Sequence, residues 1–213
     1  MTKPSPHLGT QQTAADKALE IISKGGMARL REIKAAGIPG VVVARLAKAG
    51  RVVRLARGLY QMPDADIQAG HTLAEAAKIV PKGVICLISA LSYHELTLQM
   101  PPHVWVAIEN RTRQPKPDYP PMRFVRFSPK ALSEGIDQHL IEGVPVRITN
   151  PARTIIDCFR FRNKIGVDIA ISALREALRK RRCTADDIMK HAKELRIASV
   201  VRPYLEAMTT DDV

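Results

Sequence analysis

The stretch that most restricts the fold is residues 33–63, IKAAGIPGVVVARLAKAGRVVRLARGLYQMP. Its pattern predicts a short helix, a tight turn, a second helix and then a two-stranded ribbon studded with arginine. Pro39 suits the first position of a helix, where the missing N–H costs nothing, and Gly50 suits the position just past its end. Val42, Leu46 and Ala49 recur at i, i+4 and i+7 and predict the buried stripe. Val41, Ala44, Arg45 and Lys48 fall together on the opposite face. The run Arg51-Val-Val-Arg-Leu alternates, turns near Ala56-Arg57-Gly58, and returns through Leu59-Tyr-Gln-Met before Pro63 stops it. Helix, turn, helix and ribbon in this order predict a winged helix-turn-helix.

A helix pair with a hairpin also serves as a protein-interaction module, and a basic helix face is often only a solvated one. Charge separates these readings. Residues 1–63 hold eleven Lys and Arg against three acids, Asp16, Glu20 and Glu32, a net of +8. Arg51, Arg54 and Arg57 crowd into one hairpin where like charges repel, so a polyanion is the economical partner. On that reading Val41, Ala44 and Arg45 face base edges, and Arg45 can bond guanine in bidentate fashion, worth roughly 1–3 kcal/mol of discrimination. Gly40 has no side chain to obstruct close approach. Lys48, Arg51 and Arg54 sit on phosphates and fix register, while Arg57 at the wing tip enters a minor groove. Arg29 is placed to reach a phosphate, with plain solvent exposure as the alternative.

The rest of the composition is exclusionary. The chain has 213 residues, a net charge of +12 and 46% hydrophobic residues, enough for one large or two small domains. Cys86, Cys158 and Cys183 are scattered and odd in number, which argues for a reducing cytoplasm and against a disulfide framework or a zinc site. No apolar run approaches the roughly 18 residues of a membrane span, and MTKPSPHLGTQQ lacks the apolar core of a signal peptide. The expectation is a soluble, cytoplasmic protein without metal or cofactor.

In chain order, residues 1–12 read as a flexible arm and residues 13–63 as the winged domain. Thr13 is an N-cap with Asp16 as its reciprocal acid. Ala15, Leu19 and Ile22 point inward until Gly25-Gly26, and a second helix carries Met27, Leu30 and Ile33 inward as far as Gly37. Residues 64–213 form a mixed α/β part ending in helices, so the fold class is α+β. Helix is predicted for 71–80, a strand turning into a helix for 84–97, and strands for 104–108 and 124–127. QPKPDYPP, between the last two, cannot be regular structure. Residues 140–148 predict a hairpin or two short edge strands. Helices follow over about 150–162, 167–182, 184–195 and 198–208. The first starts with Asn150 as N-cap and Pro151 behind it, points Ile155, Ile156 and Phe159 inward, and places Arg153 and Asp157 as a surface i, i+4 pair. The second buries Val167, Ile171, Leu174 and Leu178, with Arg175, Arg179 and Arg182 alongside. Residues 147–182 carry ten basic and three acidic groups. This second basic region suits DNA, an acidic partner protein or plain solvation.

Catalytic patterns fail on inspection. His94-Glu95 starts a metalloprotease-like motif, but Leu98 stands where its second histidine belongs. The other histidines lack ligand spacing, no phosphate-binding glycine loop is present, and the Glu32-Ile-Lys34 triplet lies inside a winged-domain helix. His94 and Asp157 read as structural groups. The expectation is a protein that is not an enzyme.

The segment LAKAGRVVRLARGLYQMP, with its Gly58-x-Tyr60 step, resembles the end of the winged-helix domain of AbiEi-type antitoxins. Gly83-Val84-Ile85, Ser89-Ala90-Leu91, His94 and the run Asn150-Pro151-Ala152-Arg153-Thr154-Ile155-Ile156-Asp157 resemble, in that order, the family's C-terminal antitoxin domain. The resemblance spans roughly residues 13–200. It implies a bacterial repressor that binds double-stranded DNA at inverted repeats upstream of its own operon. It further implies a type IV toxin–antitoxin partner, a nucleotidyltransferase-like toxin, although some relatives are stand-alone regulators. A nucleic-acid-processing enzyme with an unrecognised site is the remaining alternative.

Overall fold

Thr13 starts a helix because its side chain and that of Asp16 satisfy each other's backbone: the Thr13 hydroxyl accepts from the Asp16 N–H at 3.1 Å, and the Asp16 carboxylate accepts from the Thr13 N–H at 3.2 Å. In the computed structural model, which describes residues 12–210, this helix opens the first of two compact units, parting between Asp66 and Ile67. The predicted arm, apart from Gln12, lies outside the described residues.

The first unit runs α1 (Ala14–Lys24), β1 (Met27–Arg29), α2 (Leu30–Ala35), α3 (Gly40–Lys48), β2 (Val53–Ala56) and β3 (Leu59–Gln61). Its sheet has the order β1-β3-β2, all antiparallel. This is the order of elements in a winged helix. Two expectations are corrected. Met27 does not belong to a helix but opens β1, and the ribbon therefore has three strands. The cause is tertiary: Leu59, Tyr60 and Gln61 are all buried, so their strand has a neighbour on each side, and Met27–Arg29 supplies the second one.

The buried phase of α3 also differs. Val43 and Leu46 face the core, Val42 is half-buried and Ala49 is exposed at the C-cap. Pro39 is the N-cap and not the first helical residue. In α1, likewise, Ala18 and Ile22 are the fully buried positions, while Ala15 and Leu19 are half-buried. The core thus gathers Ala18, Ile22, Ile33, Ile38, Val43, Leu46, Val52 and Tyr60. Between α2 and α3 the chain turns at Gly37 with φ +81°, a left-handed conformation that costs a side-chain-bearing residue about 1–2 kcal/mol.

The second unit adds α4 (His71–Ile79), β4 (Val84–Ile85), α5 (Leu87–Tyr93), β5 (Val104–Glu109), β6 (Met122–Phe127), β7 (Ile136–Ile141), β8 (Val144–Thr149), α6 (Pro151–Arg160), α7 (Arg162–Ile165), α8 (Val167–Arg179), α9 (Ala185–Glu194) and α10 (Ala198–Thr210). The five strands lie in the order β6-β5-β4-β8-β7. β5 and β6 are parallel, with Val104 opposite Met122 and Glu109 opposite Phe127. A parallel partner requires the chain to travel back along the whole strand, which takes about a dozen residues. The proline-rich connection between β5 and β6 does this without a helix. β8 is not an edge strand: it lies between β4 and β7, and only β7 of that hairpin is at the edge.

Five of the six β5 residues, Val104 to Ile108, are buried, as expected of a strand covered on both faces. Trp105 and Ala107 join the helical core of Leu87, Leu91, Ile155, Ile156, Phe159, Leu174 and Ile188, while α4 packs on β8, β5 and β4. Asn150 caps α6 through the Arg153 N–H at 2.8 Å, with Pro151 in the first turn. That helix stops at Arg160, and α7 follows as a separate turn. In α8 the buried residues are Ala170, Ala173, Leu174 and Ala177, with Val167 exposed and Ile171 and Leu178 half-buried. Small alanines let α8 lie close to α6, so Ile171 and Leu178 move to the flanks while Leu174 stays buried. Arg153 and Asp157 are no surface pair: both are fully buried, 3.0 Å apart. The architecture as a whole is α+β, as predicted.

Candidate nucleic-acid interface

α3 exposes one face of four residues, Val41, Ala44, Arg45 and Lys48, at helical spacing. Val41, 56% exposed, is an apolar residue at the start of that face. Arg45 and Lys48 occupy the last turn, where the helix dipole also favours cations. The predicted set on this helix therefore stands together on one accessible surface.

Gly40 lies close to the Lys34 side chain. A Cβ there would lie 3.1 Å from Lys34 Cε, so the exposed Lys34 stem passes close to the start of α3. Lys34 thereby joins the basic residues beside this helix. In the sequence Lys34 stands out only as the end of the Glu32-Ile-Lys34 triplet. The helix-turn-helix spacing that brings position 34 over position 40 was the available signal.

The wing carries the remaining arginines. β2 pairs Arg54 with Tyr60 and Ala56 with Leu59, leaving Leu55 as a bulge, which sharpens the local twist. Arg57 and Gly58 form the tip. Gly58 has φ +73°, and its carbonyl accepts from Leu30 N–H at 2.8 Å, which ties the tip to the start of α2. Arg51, Arg54 and Arg57 are all exposed, and Tyr60 is buried beneath them. Arg54 Nε donates to the Ala56 carbonyl at 3.4 Å.

The three acids that precede the wing, Asp16, Glu20 and Glu32, are engaged elsewhere. Asp16 is held below its ordinary range by the Thr13 hydroxyl and backbone, with Arg51 adding a smaller charge effect. Glu20 is lowered by its hydrogen bonds from Lys24, at 2.5 Å, and Gln12. The Glu32 carboxylate accepts from the Arg29 N–H at 2.9 Å. Among the described residues, Arg45, Lys48, Arg51, Arg54 and Arg57 have no ion-pair partner. Arg29 differs from the others. It ends β1, is half-buried, and its guanidinium pKa is pushed down by burial and then by Arg31.

The second basic region is less available. Arg179 makes a bidentate pair with Glu176 at 2.9 and 2.7 Å, and hydrogen bonds from Arg179 and Lys180 hold that carboxyl at about 2. Arg182 pairs with Glu95 at 2.9 Å. Arg175 is exposed beside a groove between α8 and α10 lined by Ile171, Pro203, Tyr204 and Met208.

Neither suspected catalytic group is presented for chemistry. His94 Nε2 donates to the Thr149 carbonyl at 2.7 Å, and burial lowers its pKa. Asp157 is enclosed with Arg153. Among the described residues, no three His, Cys, Asp or Glu side chains are grouped to hold a metal ion. No helix among them is long and apolar enough to cross a membrane.

Residues 16–63, which take in α1 from Asp16 onward, the α2–α3 pair and the wing, match the family model described as "Transcriptional regulator, AbiEi antitoxin". No curated protein matches the chain.

Proposed function

We propose that the winged unit binds double-stranded DNA upstream of the chain's own gene, at inverted repeats, and represses transcription by occupancy without catalysis. The observation that carries this reading is the set of five cations on α3 and the wing, Arg45, Lys48, Arg51, Arg54 and Arg57, left without an ion-pair partner among the described residues while the three acids that precede the wing, Asp16, Glu20 and Glu32, are engaged elsewhere. A solvated basic face gains from neutralisation; an unneutralised one suits a polyanion. Val41, Ala44 and Arg45 read base edges in the major groove, Lys48, Arg51 and Arg54 hold phosphates, and Arg57 enters the adjoining minor groove. Lys34, beside the start of α3, adds a further phosphate contact.

Within that reading the second unit serves as the antitoxin part, countering a nucleotidyltransferase-like toxin. Growth rescue when the chain is co-expressed with a toxin-like neighbour tests this part; failure of rescue leaves a stand-alone regulator.

The deciding experiment is binding of purified protein to the upstream duplex and to a scrambled duplex across a salt series, in wild type and Arg45→Ala. Preference for the upstream DNA that is lost in the variant supports the reading. Equal affinity for both duplexes removes sequence-specific repression from consideration.

A further inference from the structure

The second unit carries a small cationic pocket that the DNA reading does not use. It measures about 200 Å³ and lies where the start of β5 and β6 meets α7. Trp105, Arg123, Lys164 and His103 line it, together with Gln99, two prolines of the preceding loop and an apolar wall that includes Ile165.

Two features make it more than a solvated patch. Each cation rests on an aromatic platform: the Arg123 guanidinium lies 5.6 Å from the Trp105 ring centroid, opposite it across the β5–β6 pair, and the Lys164 ammonium lies 5.7 Å from the Phe161 ring. Both side chains are exposed, and such contacts favour the rotamers that keep each charge beside its ring. In addition, no carboxylate lines the pocket, and among the described residues neither Arg123 nor Lys164 has an ion-pair partner.

We propose that this pocket binds the phosphoryl group of an anionic ligand, Arg123 presenting its forked donors to two oxygens and Lys164 supplying the second charge. A guanidinium matches phosphate geometry as a fork, and an ammonium adds a point charge. The volume admits a phosphoryl group and little beyond its first substituent. The phosphoryl group belongs to a free phosphate ester or to a nucleic-acid strand end, and the experiment separates these sources.

Trp105 is the only tryptophan of the chain and a wall of the pocket, so its fluorescence reports occupancy directly. The full chain is titrated with inorganic pyrophosphate, with adenosine monophosphate and with a 5′-phosphorylated tetranucleotide, at constant ionic strength against chloride, and calorimetry runs in parallel. Wild type gives saturable binding. Arg123→Gln weakens it at least tenfold, Lys164→Gln three- to tenfold, and Arg175→Gln leaves it unchanged, all with wild-type circular dichroism. Saturation by pyrophosphate or the mononucleotide assigns a small free phosphoryl compound; saturation by the tetranucleotide alone assigns a strand end. Absence of saturation with every probe, or equal weakening by Arg175→Gln, overturns the proposal.

Discussion

Arg153 Nε donates to Asp157 Oδ2 at 3.0 Å in the interior of the second unit, with the two side chains 1% and 0% exposed. The same guanidinium donates to the carbonyls of Glu134, at 2.7 Å, and Ala131, at 3.0 Å, and its carbon lies 5.3 Å from the Phe127 ring centroid. One side chain thus ties α6 to the segment between β6 and β7. The second Asp157 oxygen has no hydrogen-bond partner. Removing the cation leaves a buried carboxylate and two carbonyls unpaired, so Arg153→Ala is expected to lose about 3–5 kcal/mol. Urea unfolding measures it; a loss under 1 kcal/mol contradicts this account of the pair.

Asp157 also sets a pH dependence. Burial raises its carboxyl from 3.8 to about 6, against the opposing pull of Arg153. Between those values the folded chain holds a proton that the unfolded chain has released. The stability contributed by this group is therefore fully present below about pH 4 and is lost as pH rises past about 6. The difference amounts to about 3 kcal/mol. Asp157→Asn lacks the titration, so its stability relative to wild type should improve by about that amount between pH 4 and pH 7. A difference that stays flat across the range contradicts the assignment.

Glu75 is a second buried acid, on α4. Its Oε1 is 3.7 Å from His71 Nε2, its Oε2 has no hydrogen-bond partner, and Glu142 approaches His71 from the β7–β8 turn at 2.8 Å. Burial raises the Glu75 carboxyl; His71 opposes this and Glu142 adds to it. The sign matches Asp157: its contribution to stability falls as pH rises through the raised value. Glu75→Gln should therefore match or exceed wild-type stability at pH 8, by up to about 1 kcal/mol, and fall behind below pH 5. Paired unfolding curves at the two pH values check the crossing. A variant less stable by the same margin at both values rules it out.

These buried groups mark where the sequence stopped being legible. Arg153 and Asp157 stand i, i+4 whether the helix face is wet or dry, and only the packing of β6–β7 against α6 decides which. Asn150-Pro151 and Thr13 with Asp16 were readable because capping is local: donor and acceptor lie within three residues. β1 was not, because Met27–Arg29 becomes a strand through a partner some thirty residues later. The exposed face of α3 followed from spacing alone, whereas its buried phase shifted to Val43 because neighbours on two sides set it. At the candidate interface the charges were visible in the sequence. Their freedom from carboxylates, and the passage of Lys34 across Gly40, needed coordinates.

Gly58 tests the wing. A Cβ there would meet only Leu30 Cβ, at 3.7 Å, an ordinary contact. The cost of Gly58→Ala is then the backbone at φ +73°, about 1–2 kcal/mol. Gly58→Asn should recover part of this, since asparagine tolerates the left-handed region. Thermal unfolding of the three proteins ranks them Gly, Asn, Ala. If alanine equals glycine, the tip does not hold that conformation in solution.

The last prediction separates phosphate contacts from arginines that merely look available. Each cation on a phosphate releases counterions, so log K falls against log salt with a slope of about −0.9 per contact in duplex DNA. Lys48→Ala, Arg51→Ala and Arg54→Ala should each make the slope shallower by about 1 and weaken upstream and scrambled duplexes alike. Arg179→Ala should leave the slope unchanged, because Glu176 holds that guanidinium through two hydrogen bonds. Arg45→Ala should cost roughly 1–3 kcal/mol on the upstream duplex and less on the scrambled one, because base-edge contacts are lost only where the base is right. Fluorescence anisotropy from 50 to 300 mM salt, on the four variants and Arg45→Ala, provides the slopes. A slope change for Arg179→Ala as large as that for Lys48→Ala would move the interface from the winged unit to the second one.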